Sequence, residues 1–164
     1  MVRINAAELL RHPGATRRIE ATLSAAELGV GDDRIAGDIA VALDATSSVD
    51  GVVVHGTVST PWRGQCRRCL IDVEGVSVSE VEELFQPHPQ HGEAVEIVGD
   101  QIDLAPILRE YVLLDLPEAP LCREACAGIC PQCGADRNVD PCDCSTGELD
   151  PRWSALSELR LEEE

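Results

Sequence analysis

Apolar and polar residues alternate through four successive stretches in the first half of the chain, and this alternation predicts β-strands. In the second stretch the residues expected to face inward are Ile35, Ile39, Val41 and Leu43. Turn-forming residues separate the stretches, so consecutive strands can pair as an antiparallel meander. The four stretches are residues 16–23, 32–46, 51–66 and 70–85.

The fourth stretch alternates nearly but not strictly, because Gly75 shifts the phase of the pattern. A glycine at such a position is typical of a β-bulge, so Gly75 is a candidate for a bulge. The apolar positions of this stretch are Ile71, Val73, Val76, Val78 and Val81.

Apolar residues recur at helical spacing in three other segments. Residues 4–14 predict a short helix that ends at a Pro-Gly pair. Residues 103–117 predict a longer helix with Asp103 as its N-cap, and residues 150–164 predict a C-terminal helix. Residues 86–96 contain two prolines and no apolar run, which predicts a mobile loop.

The composition indicates an aliphatic core. The hydrophobic fraction of 44% is ordinary, but aromatic residues make up only 2% of the chain. Val, Leu, Ile and Ala must therefore fill the interior, with little burial of large rings. A fold of this kind gains from a covalent or metal staple.

The charge is strongly acidic, because 13 basic residues, all arginine, stand against 30 acidic residues for a formal net charge of −17. Such a charge disfavours nonspecific binding to nucleic acid or to an anionic membrane. It favours either a basic protein partner or a surface that keeps the chain soluble. No apolar run approaches the roughly 18 residues of a membrane span, and no secretory signal is visible, so we expect no membrane association and a cytoplasmic location.

Six of the eight cysteines lie within residues 122–144. In "CPQCGA", Cys130 and Cys133 can reach one ion from a tight turn, and Gly134 can adopt the left-handed conformation that aims backbone N–H groups at the sulfurs. Cys142 and Cys144 follow in "CDC" and can close a tetrahedral zinc site, with sulfur about 2.3 Å from the metal.

The remaining cysteines are Cys66 and Cys69 in "CRRC" and Cys122 and Cys126 just beyond the long predicted helix. Cys122 and Cys126 face the same way if their segment is helical. A second zinc site made of these four would tie the sheet to the C-terminal region. Alternatively, one ion binds between "CRRC" and "CPQC", and the other cysteines are peripheral.

Other cysteine chemistries also fit parts of the pattern. Disulfides are disfavoured by the absence of a secretory signal. A redox-active dithiol is suggested by Arg67 and Arg68, which would lower the pKa of a neighbouring thiol, but neither C-x-x-C pair has a clear strand–turn–helix context. An iron–sulfur cluster also accepts four thiolates. Zinc in a closed, structural thiolate set is the favoured cofactor.

These features together predict an α+β fold: an antiparallel β-meander with a packing helix and a C-terminal, cysteine-rich zinc-binding segment. Residues 1–120 are expected to form the α+β core, including the C-x-x-C at residues 66–69. Residues 121–164 are expected to form a zinc-knuckle segment and a C-terminal helix that pack on the core.

One short segment departs from the overall acidity. Trp62, Arg63, Arg67 and Arg68 lie together in "PWRGQCRRCL", which contains no acidic residue. Indole and guanidinium planes can stack on unpaired bases and bind phosphate, or the arginines can offset the negative charge of a zinc–thiolate centre. No catalytic constellation accompanies the segment, because the four histidines are scattered and the acidic runs are typical of solvated faces. We therefore expect no enzymatic activity and no small-molecule substrate.

The order of "WRGQCRRCL", "LDLPEAPLCREACAGICPQCGADRN", "CDC" and "DPRWSALSEL" resembles the YceD-like family of bacterial and plastid proteins, the large ribosomal RNA subunit accumulation proteins. The similarity covers roughly residues 60–160, and the cysteine-rich ending resembles the version found in Gram-positive lineages. The resemblance implies a non-enzymatic role in accumulation of 23S rRNA and in biogenesis of the large ribosomal subunit. It also implies 23S rRNA, a large-subunit precursor or a basic large-subunit ribosomal protein as the partner.

Overall fold

The computed structural model describes residues 2–90, 94–144 and 152, and within these it has seven strands and two helices. The strands are β1 (Arg3–Asn5), β2 (Thr16–Leu23), β3 (Ile39–Ser47), β4 (Val52–Gln65), β5 (Asp72–Gln86), β6 (Val95–Glu96) and β7 (Gln101–Asp103). The helices are α1 (Ala6–Leu10) and α2 (Ala105–Asp115). The fold is mixed α+β, as predicted.

The main sheet has five strands in the order β2-β3-β4-β5-β6. Strands β2 to β5 are consecutive and antiparallel, so the predicted meander is confirmed. The smaller sheet pairs β1 with β7, a long-range pairing that the sequence analysis did not include. Its strands are only three residues long, too short for the alternation of apolar residues to indicate them.

The β4–β5 hairpin extends past the end of β3. Pairing between β3 and β4 stops at Ser59, whereas β4 continues to pair with β5 as far as Gln65. The segment before β3 supports this extension, because the N–H of Ala36 donates to the carbonyl of Pro61 at 2.9 Å and the N–H of Arg63 donates to the carbonyl of Arg34 at 2.8 Å. The hairpin therefore carries its connecting turn, residues 66–71, away from the centre of the sheet.

The core lies between one face of the main sheet and the two helices. Leu108 and Val112 of α2 are fully buried, and Phe85 is the one aromatic residue in the core of the described chain. Its other members are aliphatic, which confirms the expected composition. Ile39, Val41 and Leu43 are buried as predicted, while Ile35 is only partly buried at the margin of the core.

Strand β5 does not bury all of its apolar residues. Val81 lies in the core, but Val76 and Val78 are 61% and 57% exposed, and Ile71, just before the strand, is 49% exposed. The predicted bulge at Gly75 is wrong, because the β4–β5 ladder runs without interruption and pairs Gly75 with Trp62. The glycine instead makes room for the indole, since a Cβ at Gly75 would lie 2.7 Å from Cζ2 of Trp62.

Helix α2 forms within the predicted segment but starts one residue later than expected. Leu104 is its N-cap, not Asp103. The Asp103 carboxylate still accepts a hydrogen bond from the Ala105 N–H at 3.1 Å, and it also forms a salt bridge with Arg3. One exposed backbone donor at the helix start is thereby satisfied, which is what a capping side chain does.

The segment predicted as a loop, residues 86–96, contains a strand. Val95 and Glu96 form β6, which pairs in parallel with the end of β5, and Ile97 then enters the core. Residues 91–93 and the predicted helix at residues 150–164, except Arg152, lie outside the described residues. Neither described helix, of five and eleven residues, is long and apolar enough to cross a bilayer.

Candidate metal centres

The first C-x-x-C forms the turn at the tip of the β4–β5 hairpin. The N–H of Cys66 donates to the carbonyl of Ile71 at 2.8 Å, and the N–H of Leu70 donates back to the carbonyl of Cys66 at 2.9 Å. Leu70 closes the turn with a φ of 62°, in the left-handed region. The hairpin thus presents both sulfurs of the motif from one rigid loop.

The second C-x-x-C repeats the same turn. The N–H of Cys130 donates to the carbonyl of Ala135 at 2.8 Å, and the N–H of Gly134 donates to the carbonyl of Cys130 at 2.9 Å. Gly134 has a φ of 75°, as its place in the motif predicts. "CRRCLI" and "CPQCGA" are therefore two copies of one knuckle that differ at the left-handed position.

Two groups of four cysteines converge, and within each group the four Sγ atoms lie within 4.8 Å of one another. None of the eight cysteines is in a disulfide. The two C-x-x-C turns fall in different groups, whereas a single ion shared between them would require both turns at one site. The first group contains Cys66, Cys69, Cys122 and Cys126, and the second contains Cys130, Cys133, Cys142 and Cys144.

The sulfur spacing in the first group suits a tetrahedral ion. Cys66 Sγ is 3.8 Å from Cys126 Sγ, and Cys69 Sγ is 3.7 Å from Cys122 Sγ. Four sulfurs at about 2.3 Å from a central zinc would be about 3.8 Å apart, whereas a disulfide would hold two of them at about 2.05 Å. These two spacings therefore fit a closed tetrahedral site and not a pair of disulfides.

Cys122 and Cys126 are brought together by a turn, not by a helix. The segment has no helical residues, and its one local hydrogen bond joins the N–H of Cys126 to the carbonyl of Arg123 at 3.1 Å. The turn places the two sulfurs against the hairpin tip. Three of the four cysteines in this group are buried, and Cys122 is half-buried.

The thiols in each group have divergent pKa values. For Cys66, burial raises the pKa, but backbone N–H donors, from Cys122 first, outweigh it and give a value of about 6. In the second group, the N–H groups of Cys133 and Gln132 lower the pKa of Cys130 to about 6. Such donors favour the thiolate form that a metal needs.

Each group also contains a thiol whose pKa is raised, so that this thiol keeps its proton at neutral pH. Burial, followed by the neighbouring Cys126 thiol, raises the pKa of Cys122 to about 12. Neighbouring sulfurs, Cys133 first, raise the pKa of Cys144 to about 12. Four thiolates at these distances repel one another, so full ionisation of either group requires a cation at its centre.

Asn138 connects the two groups. It lies in the loop between the ligands of the second group, yet its Nδ2 is 3.5 Å from Cys126 Sγ in the first. Its Oδ1 accepts from Arg123 Nη2 at 2.7 Å and from the Ala127 N–H at 2.9 Å. Sequence reasoning missed this residue, because only the folded loop shows that it reaches the other site.

The arginines near the hairpin tip have different environments. Arg68 Nη1 donates to the carbonyls of Glu124 and Cys126, both at 3.0 Å, and thereby ties the knuckle to the Cys122–Cys126 turn. Arg67 is exposed, and its side chain makes no polar contact within the described residues. Arg63 Nε makes a long hydrogen bond of 3.4 Å to the carbonyl of Asp33.

Trp62 and Arg63 are neighbours in β4 and so project from opposite faces of the hairpin. Trp62 packs over Gly75 on the face that α2 covers further along, and Arg63 is on the open face. The four predicted contact residues therefore surround the hairpin tip and do not make one flat patch. Their role in binding RNA or a partner stays a prediction.

Residues 54–160 match the family described as large ribosomal RNA subunit accumulation protein YceD. An uncharacterised protein of Mycobacterium tuberculosis is 36% identical over 168 residues, which cover 95% of this chain and 80% of the relative. The YlbN protein of Bacillus subtilis is 33% identical over 110 residues, 63% of each chain.

A further similarity is to a plant protein, the chloroplastic homologue 1 of the large ribosomal RNA subunit accumulation protein YCED from Arabidopsis thaliana. It is 37% identical over 60 residues, 37% of this chain and 19% of the plant protein. No solved structure matches the chain significantly. The family match spans more than half of the chain and includes both knuckles, so this protein belongs to the YceD family of large ribosomal RNA subunit accumulation proteins.

Proposed function

We propose that this protein is a non-enzymatic factor that supports accumulation of 23S rRNA and assembly of the large ribosomal subunit in the cytoplasm. Membership of the YceD family supports the link to large-subunit RNA. The observation that carries the proposal at the level of mechanism is the convergence of eight cysteines into two four-sulfur groups, the first of which includes the hairpin tip. That arrangement suits a fixed docking surface rather than a reaction site.

Each group would hold one zinc ion. Four thiolates at tetrahedral spacing suit Zn²⁺, and they leave no coordination position open for water or substrate, so the ions would be structural. In the first group, the zinc would bind the hairpin tip to the turn that follows α2. In the second, it would fix residues 130–144, including the loop that carries Asn138.

The docking surface would be the hairpin tip and its surroundings. Arg67 and Arg63 have the free or nearly free guanidinium groups that contact with rRNA requires. Arg68 would act mainly by holding the surface together, because its guanidinium already donates to two carbonyls. Trp62 would support the hairpin from its other face.

The test is complementation of a strain depleted of this protein. The Cys66→Ser and Cys126→Ser variants remove one sulfur each from the first group, and we expect both to reduce the ratio of 23S to 16S rRNA. Elemental analysis of the purified proteins should give two zinc per chain for the wild type and about one for each variant. The Thr22→Ser variant, at an exposed position of the edge strand β2, is the control.

A normal 23S to 16S ratio in the depleted strain would contradict the role in rRNA accumulation. Metal-free wild-type protein with an intact fold would contradict the zinc-held surface. Iron in place of zinc would indicate an iron–sulfur cluster and would contradict the proposed zinc ions. These outcomes are separable, because the first concerns the cell and the others concern the purified chain.

A redox-active dithiol is the second candidate, and the low pKa of Cys66, about 6, favours it. Thiol titration separates the two functions. Rapid reaction of Cys66 or Cys69 in untreated protein would support the dithiol. Slow reaction that accelerates when a chelator is added would support a structural metal, which we expect because Cys66 is fully buried.

A further inference from the structure

Strand β5 has a long free edge. Strand β6 pairs with it only at Phe85 and Gln86, so between Asp72 and Leu84 no described strand lies on the side away from β4. Backbone groups on this side would be satisfied by water or by a partner chain.

Two hydrogen bonds show which residues of β5 direct their backbone N–H and C=O groups away from β4. The carbonyl of Gln86 accepts from the Ile97 N–H at 2.8 Å, and the N–H of Glu82 donates to Tyr111 Oη at 3.5 Å, both away from β4. In an antiparallel ladder the direction alternates along the strand. The even-numbered residues therefore point outward, and in the described chain no outward backbone hydrogen bond is formed by Asp72, Glu74, Val76, Val78 and Glu80.

The side chains of the even-numbered residues lie on one exposed face of β5 and form a row along the strand. Val76 and Val78 occupy its centre, and carboxylates flank them at both ends. Within the described residues, Glu74, Glu80 and Glu82 form no ion pair. We call this row the acidic edge, and it consists of Asp72, Glu74, Val76, Val78, Glu80 and Glu82.

We infer that the acidic edge binds an extended, Lys/Arg-rich segment of a partner protein by strand addition. The free backbone groups supply the hydrogen bonds of a new sheet strand, and side chains alternate along both strands with the same period. Basic side chains of the incoming segment would lie beside the four carboxylates. Its small or apolar side chains would lie on the two valines.

The charges of the edge disfavour other occupants. Nucleic acid would place phosphates against four carboxylates, in a chain whose formal net charge is −17. A second copy pairing antiparallel about Ser77 would place Glu74 opposite Glu80 and Asp72 opposite Glu82, and like charges directly opposite each other destabilise a sheet. A basic segment is the partner that satisfies the backbone and the side chains together.

This inference rests on the proposed function only for the origin of the segment, which would be a basic protein of the large subunit. Binding itself is a property of the isolated chain. Failure of the depletion test would leave the acidic edge intact as a binding site with another basic partner, whereas failure of the binding test below would leave the rRNA role intact.

The experiment is calorimetric titration of the purified, metal-loaded full chain with the synthetic peptide Lys-Thr-Lys-Thr-Val-Thr-Val-Thr-Lys-Thr-Lys, whose lysine and valine side chains share one face of an extended strand and match the row of carboxylates and valines in either strand direction. Reversal of charge in a Glu74→Lys/Glu80→Lys variant is expected to weaken binding about tenfold or more. A Glu8→Lys/Glu110→Lys variant has the same net charge but changes exposed residues on the two helices, so it is the matched control.

A second pair of variants tests the backbone. Val76→Pro removes an outward N–H that the β4–β5 ladder does not use, so the fold should persist while peptide binding weakens about tenfold. Val76→Thr keeps the N–H and should bind within about twofold of the wild type. Zinc content and melting temperature, measured on every variant, identify any protein that has not folded.

Direct support would come from slower amide exchange at Val76 and Val78 when the peptide is bound. Equal weakening by both charge reversals would show a diffuse charge effect and overturn the inference, as would full binding by a folded Val76→Pro variant. Competition at this edge by an rRNA fragment would assign the site to RNA and would also overturn it.

Discussion

At the scale of single residues, the two knuckles show one backbone turn filled by two different side chains. The residue after the second cysteine has a φ of 62° as Leu70 and 75° as Gly134. A residue with a Cβ loses about 1–2 kcal/mol in this conformation, whereas glycine adopts it freely. The side chain of Leu70, 55% exposed, is thus held at the tip of the hairpin against a backbone preference.

Substitutions at these two positions should have unequal effects. We expect Gly134→Ala to lower the free energy of unfolding by about 1 kcal/mol, because the added Cβ meets no atom within 4 Å and only the dihedral angle is unfavourable. Leu70→Gly relieves the corresponding strain at its own site and should not lower stability. Denaturant melts of both metal-loaded variants check this, and equal losses would show that the dihedral angle is not the cause.

Single thiols should also determine how metal binding depends on pH. At pH 7.5, Cys66 and Cys130, with pKa values of about 6, are ionised before metal binds. Cys122 and Cys144, with pKa values of about 12, still hold their protons and must release them. Zinc affinity should therefore rise with pH, and more steeply below about pH 6, where the first pair must also lose protons.

Titration of metal-free protein with zinc in two buffers of different ionisation enthalpy measures the released protons. The same binding heat in both buffers would mean that no proton leaves, and it would contradict the assignment of Cys122 and Cys144 as protonated thiols.

At the scale of elements, the β4–β5 hairpin is supported beyond β3 by hydrogen bonds from residues 34–36 and by the packing of one tryptophan on a glycine. Trp62 lies over Gly75, its ladder partner, where any side chain would occupy the space of the indole. The β3–β4 ladder stops at Ser59 of β4, so β3 does not pair with this part of the hairpin. Together with the hydrogen bonds from residues 34–36, the contact positions the first cysteine group relative to the rest of the fold.

A Gly75→Ala substitution should destabilise the hairpin. The new Cβ would lie 2.7 Å from Trp62 Cζ2, so the indole must shift, and overpacking of this kind costs about 1–3 kcal/mol. Gly31→Ala is the matched control, because no atom lies within 4 Å of the added Cβ. We expect the control to change the free energy of unfolding by less than about 0.5 kcal/mol, and similar losses in both variants would contradict the role of the Trp62 contact.

The hairpin also shows which parts of the fold the sequence could predict. Alternation identified β2 to β5, and the spacing of residues 130–144 indicated the second sulfur group, because both patterns are local. The first group joins cysteines that are 60 residues apart, so the sequence left it open against one ion shared by the two C-x-x-C turns. Alternation could not show that Val76 and Val78 face solvent, since the position of α2 decides which face is buried. The bulge prediction at Gly75 failed for a similar reason, because the glycine leaves space for Trp62 on the neighbouring strand.

At the scale of the whole molecule, the two cysteine groups make different connections. The first joins Cys66 to Cys126, which are 60 residues apart, and so links the hairpin to the segment beyond α2. The second lies entirely within residues 130–144. A crosslink that closes the longer loop removes more freedom from the unfolded chain, so the first group should contribute more to overall stability.

Loss of one sulfur from each group should reveal this difference. We expect Cys66→Ser to lower Tm by about 5–10 °C and Cys133→Ser to lower it by less than half as much, because Cys66 is buried and Cys133 is exposed. Each variant should lose about one zinc per chain. Equal shifts in Tm would contradict the separate contributions of the two groups.

The packing of Trp62 against Gly75 has an optical consequence. The chain has two tryptophans, so a Trp153→Phe variant leaves one indole, located four residues before Cys66. Its emission would then follow the opening and closing of the hairpin directly. Zinc loading, peptide addition and thermal melting could each be followed in this variant by fluorescence, without an attached dye.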